Sequence, residues 1–312
     1  MMPPRRRPFE LQGHRGARGL RPENTLAAFE AALDAGVTSV ETDLHLTRDG
    51  AVVLCHEPFL DAALFTPPTA DAPRPAVADA TRAELRLWRA DRNPDPSRFP
   101  DQVAEAGALT CWFAGQFGLD PFAVPTLADL FHFAAAYAGE AGAAVGKSPY
   151  QRERAARVRF DLELKRVPFH PERINDGYTG RAPGLLERRI VEAVRAAGVA
   201  DRTTVRGFDH RCVRFLRALE PRLTGAVLVA HTAPAVVAEI VLQADARIYC
   251  PSFDFVDAEM VRQAHAVGVR VLPWTVNEPE HWKRLIDWGV DGITTDYPDR
   301  LAERLQAWGV AF

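Results

Sequence analysis

The 312-residue sequence has only four cysteines, and they are too scattered to form a motif. Cys55, Cys111, Cys212 and Cys250 include no CxxC pair and share no regular spacing. This pattern argues against a zinc knuckle and against a disulfide framework. We interpret all four as ordinary buried thiols.

An excess of basic charge is also missing, and lysine is rare. The formal net charge is −3, and only three of the 38 basic residues are lysines, namely Lys147, Lys165 and Lys283. Because the molecule as a whole would not attract polyanions, we do not expect a nucleic-acid partner, and recognition of phosphate would need a local cluster of charges.

Long apolar segments are absent as well. No run of about 18 apolar residues suggests a membrane span, and the arginines at 5–7 are not followed by an apolar stretch of signal-peptide length. With 47% apolar and 25% charged residues, the composition is typical of a soluble globular protein. We therefore expect a cytoplasmic protein without an integral membrane segment.

Short apolar, strand-like runs alternate with amphipathic, helix-like stretches along most of the chain. The strand-like runs are 9–13, 38–44, 158–164, 203–208, 223–229, 246–250, 269–273 and 291–295. The helical pattern occurs at 24–35, 184–197, 209–219, 234–243, 257–267, 278–288 and 298–308. Eight strand-like runs without a GxGxxG or GxxxxGK[ST] loop predict an α/β fold of the TIM-type (β/α)8 class, with an open Rossmann-like sheet as the alternative.

The segment after the second strand departs from this alternation. The run 51–55 follows a turn signal and is predicted to fold back as a hairpin partner of that strand. Residues 57–124 contain the proline-rich pieces 66–75 and 93–100 and are too long for an ordinary loop. We predict a single TIM-barrel domain over 1–312, with a cap-like insertion after the second strand region at about 57–124.

Three carboxylates are expected to meet at the ends of two barrel strands. Since residues i and i+2 share a face of a strand, Glu41 and Asp43 point the same way, as do Glu163 and Lys165. If these faces point inward, the carboxylates converge at the carboxyl ends of the strands, where barrel active sites lie. Converging carboxylates repel unless a cation joins them, and oxygen ligands favour Mg²⁺ or Ca²⁺. The pattern predicts one divalent metal ion, with strand-end salt bridges as the simpler alternative.

Two histidines are expected at the same rim. His14 and Arg15 follow the first strand, and His56 follows the hairpin strand. Histidine suits proton transfer because its unperturbed pKa lies near neutrality. A metal with Arg15 and Lys165 can neutralise phosphate oxygens, and two histidines can act as acid and base, so the cluster offers every group that phosphodiester hydrolysis needs.

These residues lie in motifs that resemble those of the glycerophosphodiester phosphodiesterase family. The motifs are HRG (14–16), PENT (22–25), ETDLHLTRDG (41–50), HEP (56–58), VPTL (124–127), DLELK (161–165), LPWTVN (272–277) and DGITTDYP (291–298). The resemblance covers nearly the whole chain in order, and it implies a TIM-type barrel with one metal ion and two catalytic histidines. The matching positions are Glu41, Asp43 and Glu163 for the metal, His14 and His56 for catalysis, and Arg15 and Lys165 for the phosphate.

The resemblance also implies a reaction. A hydroxyl group of the glycerol moiety attacks phosphorus to give a cyclic phosphate and a free alcohol, and water then opens the ring to glycerol 3-phosphate. One histidine acts as the base and the other as the acid, in roles that the sequence does not assign. The substrate is a small-molecule glycerophosphodiester and the cofactor is one divalent ion, Mg²⁺ or Ca²⁺.

Two departures from the family pattern concern the pocket for the alcohol. Residues 60–63 read Leu-Asp-Ala-Ala where the family often has a Leu-Asp-Arg-Thr-Thr-like stretch, and residues 207–208 are Gly-Phe instead of Ser-Phe. Phe208 and Trp274 are expected to form an apolar wall for the glycerol or the headgroup, with packing in the core as the alternative.

Three other functions are weighed against this one. A phospholipase D-like enzyme for lysolipids or sphingolipids would use the same metal and histidines, and would show a large apolar rim on residues 57–124. A Schiff-base aldolase would need Lys165 with a lowered pKa, which neighbouring carboxylates oppose. A catalytically inactive binding barrel would have lost a ligand or a proton-transfer group, and none is missing.

Overall fold

Parallel strands at the centre of the molecule form a barrel in the computed structural model, which describes residues 8–312. The strands are β1 (Glu10–Gly13), β2 (Ser39–Leu46), β3 (Val52–Leu54), β4 (Phe65–Thr66), β5 (Arg89–Ala90), β6 (Arg159–Leu164), β7 (Thr203–Gly207), β8 (Thr224–Val229), β9 (Ile248–Pro251), β10 (Arg270–Val271) and β11 (Gly292–Thr295). All but β3, β4 and β5 belong to the barrel, in the order β10-β9-β8-β7-β6-β2-β1-β11. The arginines at 5–7, which were considered above as the possible start of a signal peptide, lie outside the described residues.

The two strands at the ends of this order also meet. Asp291 N donates to Val271 O at 2.9 Å and Thr294 N donates to Pro273 O at 3.0 Å, which closes β11 onto β10. The predicted TIM-type barrel is therefore confirmed, each of the eight strand-like runs overlaps a barrel strand, and the Rossmann-like alternative is wrong.

Helices cover the outside of the barrel. They are α1 (Leu26–Asp34), α2 (Arg82–Leu85), α3 (Ala108–Phe117), α4 (Leu127–Ala138), α5 (Glu140–Ala144), α6 (Pro149–Arg157), α7 (Leu185–Ala197), α8 (His210–Leu219), α9 (Val237–Gln243), α10 (Ala258–Ala266), α11 (Pro279–Asp287) and α12 (Pro298–Ala307). Every predicted helical stretch contains one of them. Within residues 8–312, no helix has both the length and the apolar character needed to cross a membrane.

The barrel strands are buried on both faces, as expected when helices cover a parallel sheet. One face packs apolar side chains such as Leu11 and Phe160 against the helices. The interior of the barrel is polar on the side of β1, β2, β6 and β7 and holds a small apolar cluster on the side of β8, β9 and β10. Gln12 donates to Asp161 Oδ2 at 2.7 Å and accepts from Arg206 Nη1 at 3.0 Å. Because buried polar groups need hydrogen-bond partners, these side chains hold one another in place inside the barrel, directly below the residues of the candidate site.

The hairpin after β2 has the predicted form, since β3 pairs with β2 in antiparallel register with Leu44 opposite Leu54. Within the insertion, β4 pairs with β5, and Phe65 and Trp88 belong to a small apolar core. Helix α3 does not contribute to this small core and packs on the outside of α1, where Glu30 accepts hydrogen bonds from two backbone N–H groups of α3. The role of residues 57–124 as a cap stays a prediction.

The interpretation of the cysteines is wrong at one position. Cys55, Cys212 and Cys250 are buried free thiols, but Cys111 is exposed. Cys111 lies on α3, which buries one side against α1 and leaves the opposite side to solvent.

Candidate active site

A cavity of about 460 Å³ opens at the carboxyl ends of the barrel strands. Most of the predicted site residues line it, namely His14, Arg15, His56, Glu163, Lys165, Phe208 and Trp274. The remaining two, Glu41 and Asp43, are buried beside Glu163. The structure thus brings together residues from the ends of β1, β2, β3, β6, β7 and β10.

The three predicted metal ligands form one cluster because β2 and β6 are neighbours in register. Asp43 lies opposite Glu163, and Glu41 lies one inward-facing position earlier. Each residue offers one carboxylate oxygen, and these oxygens lie within 4.8 Å of one another. Glu41 Oε1 is buried and accepts no hydrogen bond within residues 8–312.

This donor set fits a hard divalent cation. Mg²⁺ and Ca²⁺ bind oxygen at about 2.0–2.6 Å, so two oxygens on one ion lie at most about 4–5 Å apart. The cluster contains oxygen donors only, which suits Mg²⁺ or Ca²⁺ better than zinc.

The electrostatics of the cluster also call for positive charge. Burial and the charges of Asp43 and Glu163 raise the pKa of Glu41 to about 8. Burial raises the pKa of Asp43 too, but Arg15 and Lys165 hold that pKa well below its usual range. Without a further cation, one of the carboxylates therefore takes up a proton near neutral pH, and a bound divalent ion favours the ionised form.

Both predicted phosphate-binding residues contact the cluster. Lys165 Nζ lies 2.7 Å from Glu163 Oε1 and 3.4 Å from Asp43 Oδ1. Arg15 Nε lies 3.1 Å from Asp43 Oδ2, and Arg15 Nη1 donates to Glu23 Oε1 at 2.7 Å. These carboxylates fix the positive charges at the cavity wall.

The backbone after β1 is tied to the same cluster. Arg15 N donates to a Glu41 carboxylate oxygen at 2.8 Å, while Arg15 itself has a φ of 51°. Gly16 follows with a φ of 86°, and a Cβ at this position would lie 2.6 Å from the backbone of Ala28. Glycine is therefore required for the turn that places His14 and Arg15 at the rim.

His14 is held in one orientation by a buried carboxylate. Its Nδ1 lies 2.6 Å from Asp296 Oδ1, and Asn277 Nδ2 donates to Asp296 Oδ2 at 2.8 Å. Burial lowers the pKa of His14 to about 4, against the opposing effect of Asp296. Burial raises the pKa of Asp296, but its contact with His14, the charge of Arg18 and the bond from Asn277 bring it below the usual range.

It follows that His14 is neutral, with its proton on Nδ1, beside an ionised Asp296. The other ring nitrogen, Nε2, is left as an acceptor and lies 4.0 Å from Glu41 Oε2. This is the geometry of an oriented general base.

His56 stands closer to solvent than His14. Its side chain is 28% exposed, and its Nδ1 lies 2.7 Å from Glu57 Oε1. Its backbone oxygen is held by His45 Nε2 at 3.2 Å. Within residues 8–312, His56 Nε2 makes no hydrogen bond, so this nitrogen is available to contact a group in the cavity.

The sequence reasoning missed four residues that position the site. Asp296 and Asn277 orient His14, Asn24 donates to Asp43 Oδ2 at 3.0 Å, and Arg206 Nη2 lies 3.2 Å from Glu41 Oε1. Three of them were visible as parts of the DGITTDYP, LPWTVN and PENT motifs. Arg206 could have been recognised as a charged residue on the inward face of β7.

Phe208 and Trp274 lie next to each other at the cavity, and their role as a wall for the substrate stays a prediction. Their rings meet edge to face with centroids 5.8 Å apart, and Trp274 Nε1 donates to Cys250 O at 2.8 Å. Residues of the insertion also line the cavity, namely Asp61, Leu64, Phe65, Pro94 and Arg98. This side of the cavity therefore combines aromatic residues with residues of the insertion.

The sequence and the fold were compared with those of known proteins. The model of the glycerophosphoryl diester phosphodiesterase family matches residues 14–300. A glycerophosphodiester phosphodiesterase of Bacillus altitudinis is 27% identical over 93% of this chain and 96% of that protein.

Solved structures agree with this match. One is a protein of Silicibacter pomeroyi DSS-3 that is named provisionally as a glycerophosphoryl diester phosphodiesterase. It is 30% identical to this chain, and the two superpose with a TM-score of 0.78 over 97% of this chain and 95% of the other. An Oleispira antarctica phosphodiesterase in complex with the product sn-glycerol-3-phosphate has the same fold, with 20% identity and a TM-score of 0.69 over 96% of this chain and 97% of its own.

Proposed function

The chain belongs to the glycerophosphoryl diester phosphodiesterase family and is a phosphoric diester hydrolase, and we propose that it converts glycerophosphodiesters into glycerol 3-phosphate and an alcohol in a metal-dependent reaction. The observation that carries this proposal is the convergence of three carboxylates, two histidines and two cationic side chains on one cavity. The product bound by the Oleispira enzyme supports glycerol 3-phosphate as the product here.

Glu41, Asp43 and Glu163 would hold one Mg²⁺ or Ca²⁺ ion. When bound, the ion supplies Lewis-acid stabilisation of charge on a phosphate oxygen. Arg15 and Lys165 bind the remaining phosphate charge, and their ion pairs with the carboxylates keep them in place before substrate arrives.

The two histidines would move the protons. His14 Nε2 accepts the proton of the attacking glycerol hydroxyl group, because Asp296 keeps the ring proton on Nδ1. His56 donates a proton to the departing alkoxide, and Glu57 Oε1, which lies 2.7 Å from His56 Nδ1, orients the ring. In the second half His56 takes a proton from water, and His14 returns its proton to the ring oxygen that leaves the cyclic phosphate.

The apolar wall would contact the organic part of the substrate. Phe208 is 45% exposed beside the cavity, which is unusual for phenylalanine in a core and suits a contact with ligand. On the insertion side, Asp61 and Arg98 offer polar contacts to the headgroup alcohol. We propose that these two sides select the alcohol.

The competing functions fit the geometry less well. Burial lowers the pKa of Lys165, but its pairs with Glu163 and Asp43 raise it overall, which opposes Schiff-base chemistry. The exposed large apolar residues of the insertion do not line the cavity; they are Phe59, Leu87, Val103, Trp112 and Phe117. Its apolar residues at the cavity are Leu64, Phe65 and Pro94, which is a small surface for a lysolipid-binding rim. The cytoplasmic location stays a prediction.

The proposal is tested with purified protein treated with EDTA and then supplied with Mg²⁺ or Ca²⁺. Glycerophosphocholine, glycerophosphoethanolamine and glycerophosphoglycerol serve as substrates, and release of glycerol 3-phosphate is followed by a coupled dehydrogenase. We expect metal-dependent release that falls about 10²- to 10⁴-fold in His14→Ala and His56→Ala. His265→Ala, at an exposed position far from the cavity, is the matched control and retains activity.

The outcomes separate the candidate functions. Absence of release with either metal, from protein that is folded by circular dichroism, would contradict the proposal. Cleavage of lysophosphatidylcholine in place of the glycerophosphodiesters would identify the phospholipase D-like alternative. Activity that survives the loss of either histidine would refute the assigned proton transfers.

A further inference from the structure

A second cavity lies at the opposite end of the barrel, at the amino ends of the strands. Its volume is about 700 Å³, against about 460 Å³ for the candidate active site. It is enclosed by the first residues of β1, β6, β8 and β10, by one side of α6 and by Phe312. The volume is within the range of about 300–1,000 Å³ that is usual for small-molecule sites.

The wall of this cavity is strongly basic. Its arginines are Arg154, Arg157, Arg159, Arg247 and Arg270, whereas its only acidic residues are Glu10 and Glu153. Glu10 lies 2.8 Å from Arg270, and Glu153 lies 2.9 Å from Arg157. Each carboxylate is thus already paired, and three guanidinium groups remain.

These three have no acidic side chain to neutralise them. Within residues 8–312, no carboxylate side chain lies within 4.0 Å of Arg154, Arg159 or Arg247, and residues 1–7 contain no aspartate or glutamate. Arg154 donates to Gly36 O at 2.6 Å and to an oxygen of Phe312, the last residue of the sequence, at 3.2 Å, whereas Arg247 donates to Ala246 O at 2.9 Å. Arg159 and Arg247 are therefore the guanidinium groups most available to a ligand.

Arg159 carries the clearest sign of a missing acceptor. It points into the barrel from the first position of β6, and the only hydrogen bond that its side chain makes within residues 8–312 joins Nη2 to Thr224 Oγ1 at 3.4 Å. Its Nε is buried without a hydrogen-bond partner among the described residues. Since an unpaired buried donor is costly, an anion in the cavity would relieve this cost.

We propose that this cavity binds a small organic phosphate. A phosphate group has several strong acceptor oxygens, so it can accept bonds from guanidinium groups that arrive from different strands. Phe9, Val37, Tyr150 and Val158 provide apolar walls for an organic substituent.

This site is separate from the proposed active site. The buried network of Gln12, Asp161 and Arg206 lies between the two ends of the barrel, and no residue lines both cavities. A ligand of the second cavity therefore need not compete with the substrate of the first.

Isothermal titration calorimetry with phenyl phosphate tests the proposal. Phenyl phosphate combines a phosphate dianion with an apolar ring, and benzoate is the comparison ligand with a single carboxylate. The test variant is Arg159→Gln/Arg247→Gln. The matched control is Arg189→Gln/Arg262→Gln, which removes the same charge from exposed positions on α7 and α10.

We expect phenyl phosphate to bind the wild type and the control variant equally, and to bind the test variant at least about tenfold more weakly. Benzoate should bind more weakly than phenyl phosphate to the wild type. If the double variant fails to fold, the exposed single variant Arg247→Gln is titrated instead and should also lose affinity.

Three results would overturn the proposal. These are no binding of phenyl phosphate to the wild type, equal binding to the test and control variants, and equal affinities for benzoate and phenyl phosphate. Because phenyl phosphate could also contact Arg15 and Lys165 in the other cavity, the difference in affinity between the test and control variants is the result that reports on this one.

Discussion

Replacing Asp296 by asparagine tests whether His14 works through one fixed tautomer. In the native site the carboxylate accepts from His14 on one oxygen and from Asn277 Nδ2 on the other. The new amide can satisfy only one of these donors as an acceptor. If its oxygen faces His14, its NH₂ group meets the NH₂ group of Asn277.

The opposite orientation is favoured, because two buried donors facing each other cost about 1–3 kcal/mol. The amide NH₂ then donates to His14 Nδ1, and the ring proton moves to Nε2. A histidine protonated on Nε2 cannot accept a proton there. Since general-base catalysis contributes about 10²–10⁴ in rate, we expect kcat to fall by about that factor.

The Michaelis constant should change little, because Asp296 does not line the cavity. Initial rates over a range of glycerophosphocholine concentrations separate kcat from KM. Asp291→Asn is the matched control, since Asp291 lies 2.8 Å from His265 Nε2 near the other end of β11 and takes no part in the proposed reaction. A kcat within a few-fold of wild type for Asp296→Asn would refute the role of the tautomer.

Three further predictions address the metal site, a helix cap and the pH dependence of stability. Glu163→Gln should weaken activation by Mg²⁺ or Ca²⁺ at least about tenfold, because it removes one anionic oxygen, and an unchanged metal titration would contradict the ligand set. Thr126→Ala removes the cap bond to Asp129 N, at 3.1 Å in the native protein, and should lower the free energy of unfolding by about 1 kcal/mol in urea without changing kcat/KM; an unchanged midpoint would argue against the cap. Burial raises the pKa of Glu30, but the contact of Glu30 with Lys147 brings this pKa below its usual range. The ionised Glu30 therefore stabilises the fold above the unfolded pKa of about 4.3, and this stabilisation is lost as the pH falls through the lower pKa of the folded state. The stability gap between wild type and Glu30→Gln should therefore shrink on acidification from neutral pH to below about 4, and a gap that widens would contradict this linkage.

The barrel was predictable because its strands carry a strong local signal. Buried parallel strands appear as short apolar runs, and Gly16 indicates a turn directly after β1. The cluster of three carboxylates was predictable from spacing, since Glu41 and Asp43 share a strand face and β6 repeats the pattern at Glu163.

The partners of these residues depend on register between distant strands. His14 meets Asp296 because Gly13 lies opposite Thr295 in the β1–β11 pair, and no local pattern contains this information. Arg206 likewise reaches Glu41 across the barrel interior. The sequence shows which side chains face inward, but the neighbours of each one follow from the closed barrel.

A crystal structure of the protein with Ca²⁺ and glycerol 3-phosphate tests the central claim most directly. The account predicts one ion bound by Glu41, Asp43 and Glu163, with the phosphate group in contact with Arg15 and Lys165. An ion bound elsewhere, or a phosphate group that does not contact these two cations, would contradict it.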